Sequence, residues 1–168
     1  LEITQAINNN LPESDLYKIY EFTLRGNLQI GKMALIVHEE NWDCKVQFGV
    51  NENFDEVSLN KELLAITEIT NTDSIKLDND PFEEFDIVIP VMHKDRVLAF
   101  VFVKALLEGP ESIDTTFIQT ISNIMLVAIE NKRLARRQLE QQAYQRDMEI
   151  ASNVQNYLFV LVLGLIAL

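Results

Sequence analysis

Residues 87–103 read IVIPVMHKDRVLAFVFV. Two apolar runs flank the polar residues His93, Lys94 and Asp95, which turn the chain. Residues 85–92 and 96–104 are therefore expected to pair as antiparallel strands. VLAFVFV is a nearly unbroken apolar run, the pattern of a central strand covered on both faces. Pro90 has no amide hydrogen to give a neighbour, so the first strand is irregular or peripheral at that point.

Working outward, residues 32–38 (KMALIVH) form a second compact apolar run, too short for a typical helix, and read as a strand buried on both faces. Glu39, Glu40 and Asn41 turn the chain into residues 42–50, where Trp42, Cys44, Val46, Phe48 and Val50 alternate onto one side of a half-buried strand. Before these strands, Leu1, Ala6, Ile7 and Leu11 share one face of a short helix ended by Pro12. Leu16, Ile19, Tyr20 and Thr23 mark a second helix capped by Ser14 or Asp15 and closed by Gly26 and Asn27. Leu59, Leu63, Ile66 and Ile69 recur at helical spacing. Residues 74–77 read as a short strand, and residues 78–86 (DNDPFEEFD) have no period and read as exposed. Gly109 and Pro110 break the chain, and Asp114 or Thr115 caps a long helix whose pattern continues to about Leu158. The fold class is α+β: an antiparallel sheet of about five strands with helices on both sides, followed by a long C-terminal coiled-coil helix.

The 168 residues carry 14 Lys and Arg against 26 Asp and Glu, a net charge of −12 and a pI near 4.5. That sign repels phosphate backbones and anionic lipid headgroups, so neither nucleic acid nor a membrane is expected as a partner. The charge is uneven: residues 1–110 hold 9 bases and 20 acids, and residues 111–168 hold 5 and 6. One cysteine excludes a disulfide framework, and with two histidines it excludes a Cys/His metal cluster, which leaves only carboxylates for a hard cation; no metal site is assigned and no cofactor is expected. The start lacks Met and any apolar leader, and the chain stops inside an uncharged apolar run, residues 158–168. The whole reads as a cytoplasmic piece of a longer chain. As a helix that run would be about 16 Å long, roughly half a bilayer's hydrocarbon core.

The element order together with Ile89-Pro90-Val91, the polar turn and the strand after it resembles a GAF domain. Such domains carry an Ile/Val-Pro-Val/Ile strand followed by a strand of Gly-Val-Leu character. Ala99 and Phe100 depart from that second pattern. The resemblance covers about residues 1–130 and implies a regulatory, ligand-sensing role; two helices before the first strand fit it better than a PAS domain. Residues 148–159 (MEIASNVQNYLF) resemble the segment that leads into PPM-type serine phosphatases of the bacterial sporulation and stress-regulator group. Glu149, Ile150, Ala151, Val154, Gln155 and Leu158 match, whereas Val160 stands where that pattern has Pro. The phosphatase body and its aspartates are absent from this sequence, so no activity carries over.

Enzymatic constellations are missing: the five glycines are scattered rather than gathered in a phosphate loop, and neither histidine sits in a nucleophile motif. His38 and His93 read as structural or solvent-exposed, and Cys44 as an inert thiol on the sheet. Bilin attachment would need a Cys-His pair that this sequence lacks. Asn53-Phe54-Asp55-Glu56 superficially resembles the Asn-Lys-Phe-Asp-Glu set of cyclic-nucleotide-binding GAF domains, but that set is dispersed along the domain, and contiguity here points to coincidence. Residues 52–86, which in that family cover the pocket, hold eleven acids against Lys61 and Lys76. They disfavour a phosphate-bearing ligand. Phe48, Phe54, Ile66, Phe82 and Phe85 are the candidates for lining a pocket, suited to a small neutral or apolar ligand, or for plain core.

From Phe117 to Ile129 the long helix carries more apolar surface than one sheet can cover, which predicts a parallel homodimer through this helix. Ile118, Ile121, Met125 and Ile129 are assigned to the interface. Leu134, Leu139, Tyr144, Met148 and Ala151 continue it, with spacing that stutters first and becomes regular later. The division expected is 1–130 as sensory domain, 131–158 as signalling helix and 159–168 as apolar tail. The function expected is a non-catalytic sensor of a bacterial signalling protein, feeding an output domain of serine/threonine phosphatase type. The alternative is a ligand-free dimerisation and interaction module.

Overall fold

The computed structural model describes residues 2–27, 29–55, 58–77 and 80–168. Leu1, Glu56 and Asp78, used in the sequence reading, lie outside them. Contacts divide the chain into two units, Leu1–Ala128 and Ile129–Leu168.

The first unit is built on five antiparallel strands: β1 (Ile30–His38), β2 (Trp42–Phe48), β3 (Thr70–Asn71), β4 (Ile87–His93) and β5 (Arg96–Ala105), ordered β2-β1-β5-β4-β3. As expected, β5 is central, and Leu98 through Val103 are all buried. Lys94 and Asp95 both take positive φ at the β4–β5 turn. β3 pairs only with Val88 and Ile87, so it stops short of Pro90. Within a strand a residue's N–H and C=O point to the same side. The Pro90 carbonyl accepts from Gln119 Nε2 at 3.0 Å, so the side that lacks an N–H is the uncovered one.

Helices α1 (Glu2–Asn8), α2 (Glu13–Asn27) and the start of α4 (Thr115–Ile166) belong with one face of the sheet; a single turn, α3 (Lys61–Leu64), and two 3-10 turns lie over the other. Along β1, Ala34 and Ile36 point to the α3 side, so Met33, Leu35 and Val37 point to the helices. Tyr20 of α2 and Ser122 of α4 are hydrogen-bonded at 2.6 Å, both buried.

Four local expectations are corrected. The alternation of Trp42, Cys44, Val46 and Phe48 onto one side is broken by a bulge: Cys44 pairs with Ile36 but Val46 with Leu35. Lys45 is the extra residue, so Trp42 and Cys44 face the α3 side while Val46 and Phe48 face the helices. The helix expected across Leu59 to Ile69 shrinks to α3, because Ile66, Thr67, Ile69 and Thr70 are stiff β-branched residues. The strand expected at 74–77 is displaced to Thr70–Asn71, and Thr72–Ser74 is a 3-10 turn. Polar side chains hold that turn: Thr72 Oγ1 donates to the Phe85 carbonyl and Ser74 Oγ to the Asn71 carbonyl. Residues 80–86 are not simply exposed either. Pro81–Glu84 forms a 3-10 turn that buries Phe82 completely.

The second unit is helix throughout, up to Ile166. A stretch of 18 residues in α4 has a mean hydropathy of 1.4 and none of it is buried, so by length and composition α4 can cross a membrane. The uncharged stretch runs from Ile150 to Leu168, with polar Ser152, Asn153, Gln155 and Asn156 ahead of the apolar run 158–168.

Candidate functional site

Four of the five pocket candidates meet. Phe54, Phe82 and Phe85 pack on one another with ring centroids 5.2 to 6.3 Å apart, and Phe82 stacks on Phe102 of β5 at 4.1 Å. Ile66 is buried in the same cluster, with Leu63, Leu77 and Phe100. Phe48 is the exception. It pairs with Met33 on the helix side, and the Arg25 guanidinium of α2 lies 4.8 Å from its ring centre. The bulge in β2 is the physical reason, and Phe48 cannot line a pocket with the other four.

Short polar ties place these rings. Asn60 Oδ1 accepts from the Leu63 amide at 2.8 Å and caps α3, while its Nδ2 donates to Asp80 Oδ2 at 3.3 Å. Asp80 Oδ1 in turn accepts from the Phe82 amide at 3.0 Å. Gln47 Oε1 accepts from the Phe54 amide at 3.1 Å, and Gln47 Nε2 donates to the Glu52 carbonyl. Each large ring thus sits beside a hydrogen-bonded backbone amide. Burying a phenylalanine side chain of this kind contributes roughly 2–3 kcal/mol. Asn53, Phe54 and Asp55 serve a local turn, in which Asn53 Oδ1 accepts from the Asp55 amide at 3.1 Å.

Outside this cluster, Asn51, Glu52, Asp80, Pro81, Glu83 and Glu84 line a surface hollow of about 400 Å³. Lys32 pairs with Glu84 at its edge. Four carboxylates against that lysine give a field that disfavours anions. Among the described residues, no group of three His, Cys, Asp or Glu converges as a metal site would require.

Cys44 is half-buried, with its Sγ 3.5 Å from the Val46 carbonyl and 3.7 Å from Gln47 Oε1. Burial, reinforced by the Asp55 charge, pushes the thiol up to about 12, which keeps it protonated and unreactive. Burial likewise raises the Tyr20 phenol well above its ordinary range. The exposed His38 ring lies 4.7 Å from Trp42, which stacks on Phe100 at 5.2 Å. The sequence reading passed over Phe100, Phe102 and Trp42 as neighbours of the candidate site. The alternation of β5 could have supplied the first two; the bulge hides the third.

On α4 the assigned interface splits. Ile118, Ile121, Met125 and Ile129 are 0, 6, 0 and 2% exposed in the single chain, so they cannot be the surface offered to a second copy. A helix that packs its own body spends its densest apolar stripe there. Phe117 and Ile124, 39 and 47% exposed, are the apolar residues left open on that turn-and-turn-again face. Leu134, Leu139, Tyr144 and Met148 are 45 to 67% exposed, and Ala151 is exposed too.

No family model and no curated protein sequence matches the chain. Solved structures do. A methyl-accepting chemotaxis protein, residues 122 to 287, matches at 11% identity and a TM-score of 0.60, covering 79% of this chain and 96% of that one. A GAF domain/HD domain protein from Geobacter sulfurreducens matches at 13% identity and 0.59, covering 76% and 98%. The GAF domain of a protein described as a sensor histidine kinase, from Pseudomonas syringae pv. tomato, matches at 13% identity and 0.56, covering 83% and 88%. The fold is the GAF fold.

Proposed function

We propose that the chain is the non-catalytic regulatory part of a cytoplasmic bacterial signalling protein. In this reading residues 1–130 sense, residues 131–158 relay as a paired helix, and residues 159–168 form an apolar tail. The observation that carries it is α4 itself, one unbroken helix of 52 residues on a GAF fold, whose apolar side chains beyond residue 133 are all exposed in the single chain. An exposed periodic stripe on a helix is stabilised by a second copy, and a dimer related by a two-fold axis supplies it. The likeness of residues 148–159 to the lead-in of PPM-type phosphatases supports a serine/threonine phosphatase as the output.

What the body recognises has two readings. A small neutral or apolar ligand suits the aromatic lining and the acidic hollow beside it. The alternative rests on the contacts among Phe54, Phe82, Phe85 and Phe102: the rings are core and the module works by dimerisation and protein contact. Mass spectrometry of small molecules that co-purify with the native protein separates them. A stoichiometric neutral compound whose removal lowers the melting temperature supports sensing; a clean protein with unchanged melting supports the interaction module.

A further inference from the structure

The apolar end of α4 is a different surface from the stripe that precedes it. Every residue from 157 to 163 is apolar or Tyr, and each is 48 to 67% exposed. Seven consecutive helical residues, each about 100° from the last, occupy the whole circumference. A paired helix covers only about two positions in seven, and a globular surface covers one face. Neither accounts for apolarity all round. A helix in this state is matched by a surrounding apolar solvent, and its backbone ladder already satisfies the polar groups that such a solvent cannot.

We propose that residues 157–168 insert into the hydrocarbon of a lipid bilayer. This stands independently of the regulatory reading. The approach is graded: Asp147 and Glu149 are charged, Asn153, Gln155 and Asn156 are polar but uncharged, and Tyr157 then opens the apolar run. A tyrosine at that step has the amphipathic ring favoured at the membrane interface. The ten helical residues 157–166 reach about 15 Å, half of a hydrocarbon core of roughly 30 Å. The net charge of −12 opposed a membrane only through anionic headgroups, and residues 150–168 carry no charge at all. Binding is therefore driven by burial and is indifferent to salt.

Flotation of the full chain with pure phosphatidylcholine vesicles tests this. The protein is expected to float with the vesicles, equally at low salt and at about 1 M salt, where exposed charges are screened within about 3 Å. The double variant Leu161→Lys/Leu163→Lys should lose at least tenfold in partitioning while its body melts as before. Phe22→Lys, an equally apolar and exposed site on α2 outside both the helix stripe and the apolar run, should float like the parent. A full chain that stays in the aqueous fraction, as a soluble oligomer or otherwise, overturns the proposal. So does release by salt, or a double variant that floats undiminished.

Discussion

The single helix α4 presents the same kinds of side chain to two opposite fates. Between Thr115 and Ala128, Ile118, Ile121, Met125 and Leu126 are withdrawn from water, and Ser122 finds Tyr20 as a buried partner. From Leu134 onward leucines, tyrosines and valines are exposed by roughly half or more. Composition is not what separates them. The first stretch packs with the sheet and α2, whereas the apolar side chains of the second are open in the single chain. Apolar surface in one chain is therefore a statement about stability where it is buried and about partners where it is not.

That contrast can be broken from either side. The largest effect is expected in the body: Phe82→Ala, removing a fully buried ring stacked on Phe102, should cost about 3–5 kcal/mol in denaturant unfolding. Gly49→Ala comes next. Gly49 has φ +69°, and a Cβ there would lie 1.9 Å from the Gly31 carbonyl oxygen, so a loss of at least about 1 kcal/mol is expected. In the second unit, Leu139→Glu should leave the melting of the body unchanged and weaken self-association at least tenfold in sedimentation equilibrium. Unchanged association would mean that the stripe is not a seam.

Alkali gives a graded effect. The folded protein keeps the Cys44 proton to about pH 12, while an unfolded thiol releases it near 8.5. The unfolded state therefore binds fewer protons in between, and stability falls as pH rises from about 9 to about 12. Cys44→Ala should remove that part of the slope, leaving the contribution of Tyr20, which has the same sign. The smallest change is expected at Phe22, 68% exposed on α2: Phe22→Ser should shift stability by no more than about 0.5 kcal/mol.

Much of the body was legible because its pattern is local. The β4–β5 hairpin announces itself by two apolar runs around His93-Lys94-Asp95, and Pro90 marks a place that β3 leaves uncovered. Phe54, Ile66, Phe82 and Phe85 were recognisable as one group by their apolar character within a polar stretch. What failed depends on contacts distant in sequence. The extra residue at Lys45 turns Phe48 to the other face, and no periodicity in β2 reveals it. The turn at Thr72–Ser74 exists because Thr72 reaches Phe85 and Asp86, thirteen and fourteen residues on. On α4 the surplus of apolar surface was visible, but which residues the body would take was decided by its packing. Ile118, Ile121 and Met125 went inward, and Phe117 and Ile124 were left outside.

The pairing of the second unit through its exposed stripe is open to one direct measurement, oxidative cross-linking of a single thiol. Cys44→Ser removes the native thiol, and a cysteine is then placed either at Met148, on the regular part of the stripe with Tyr144 and Ala151, or at Arg146, about 200° around the helix from it. The Met148→Cys protein should form disulfide-linked dimers rapidly and nearly completely, and the Arg146→Cys protein should not. Equal cross-linking at both positions, or none at either, would contradict a parallel helical seam.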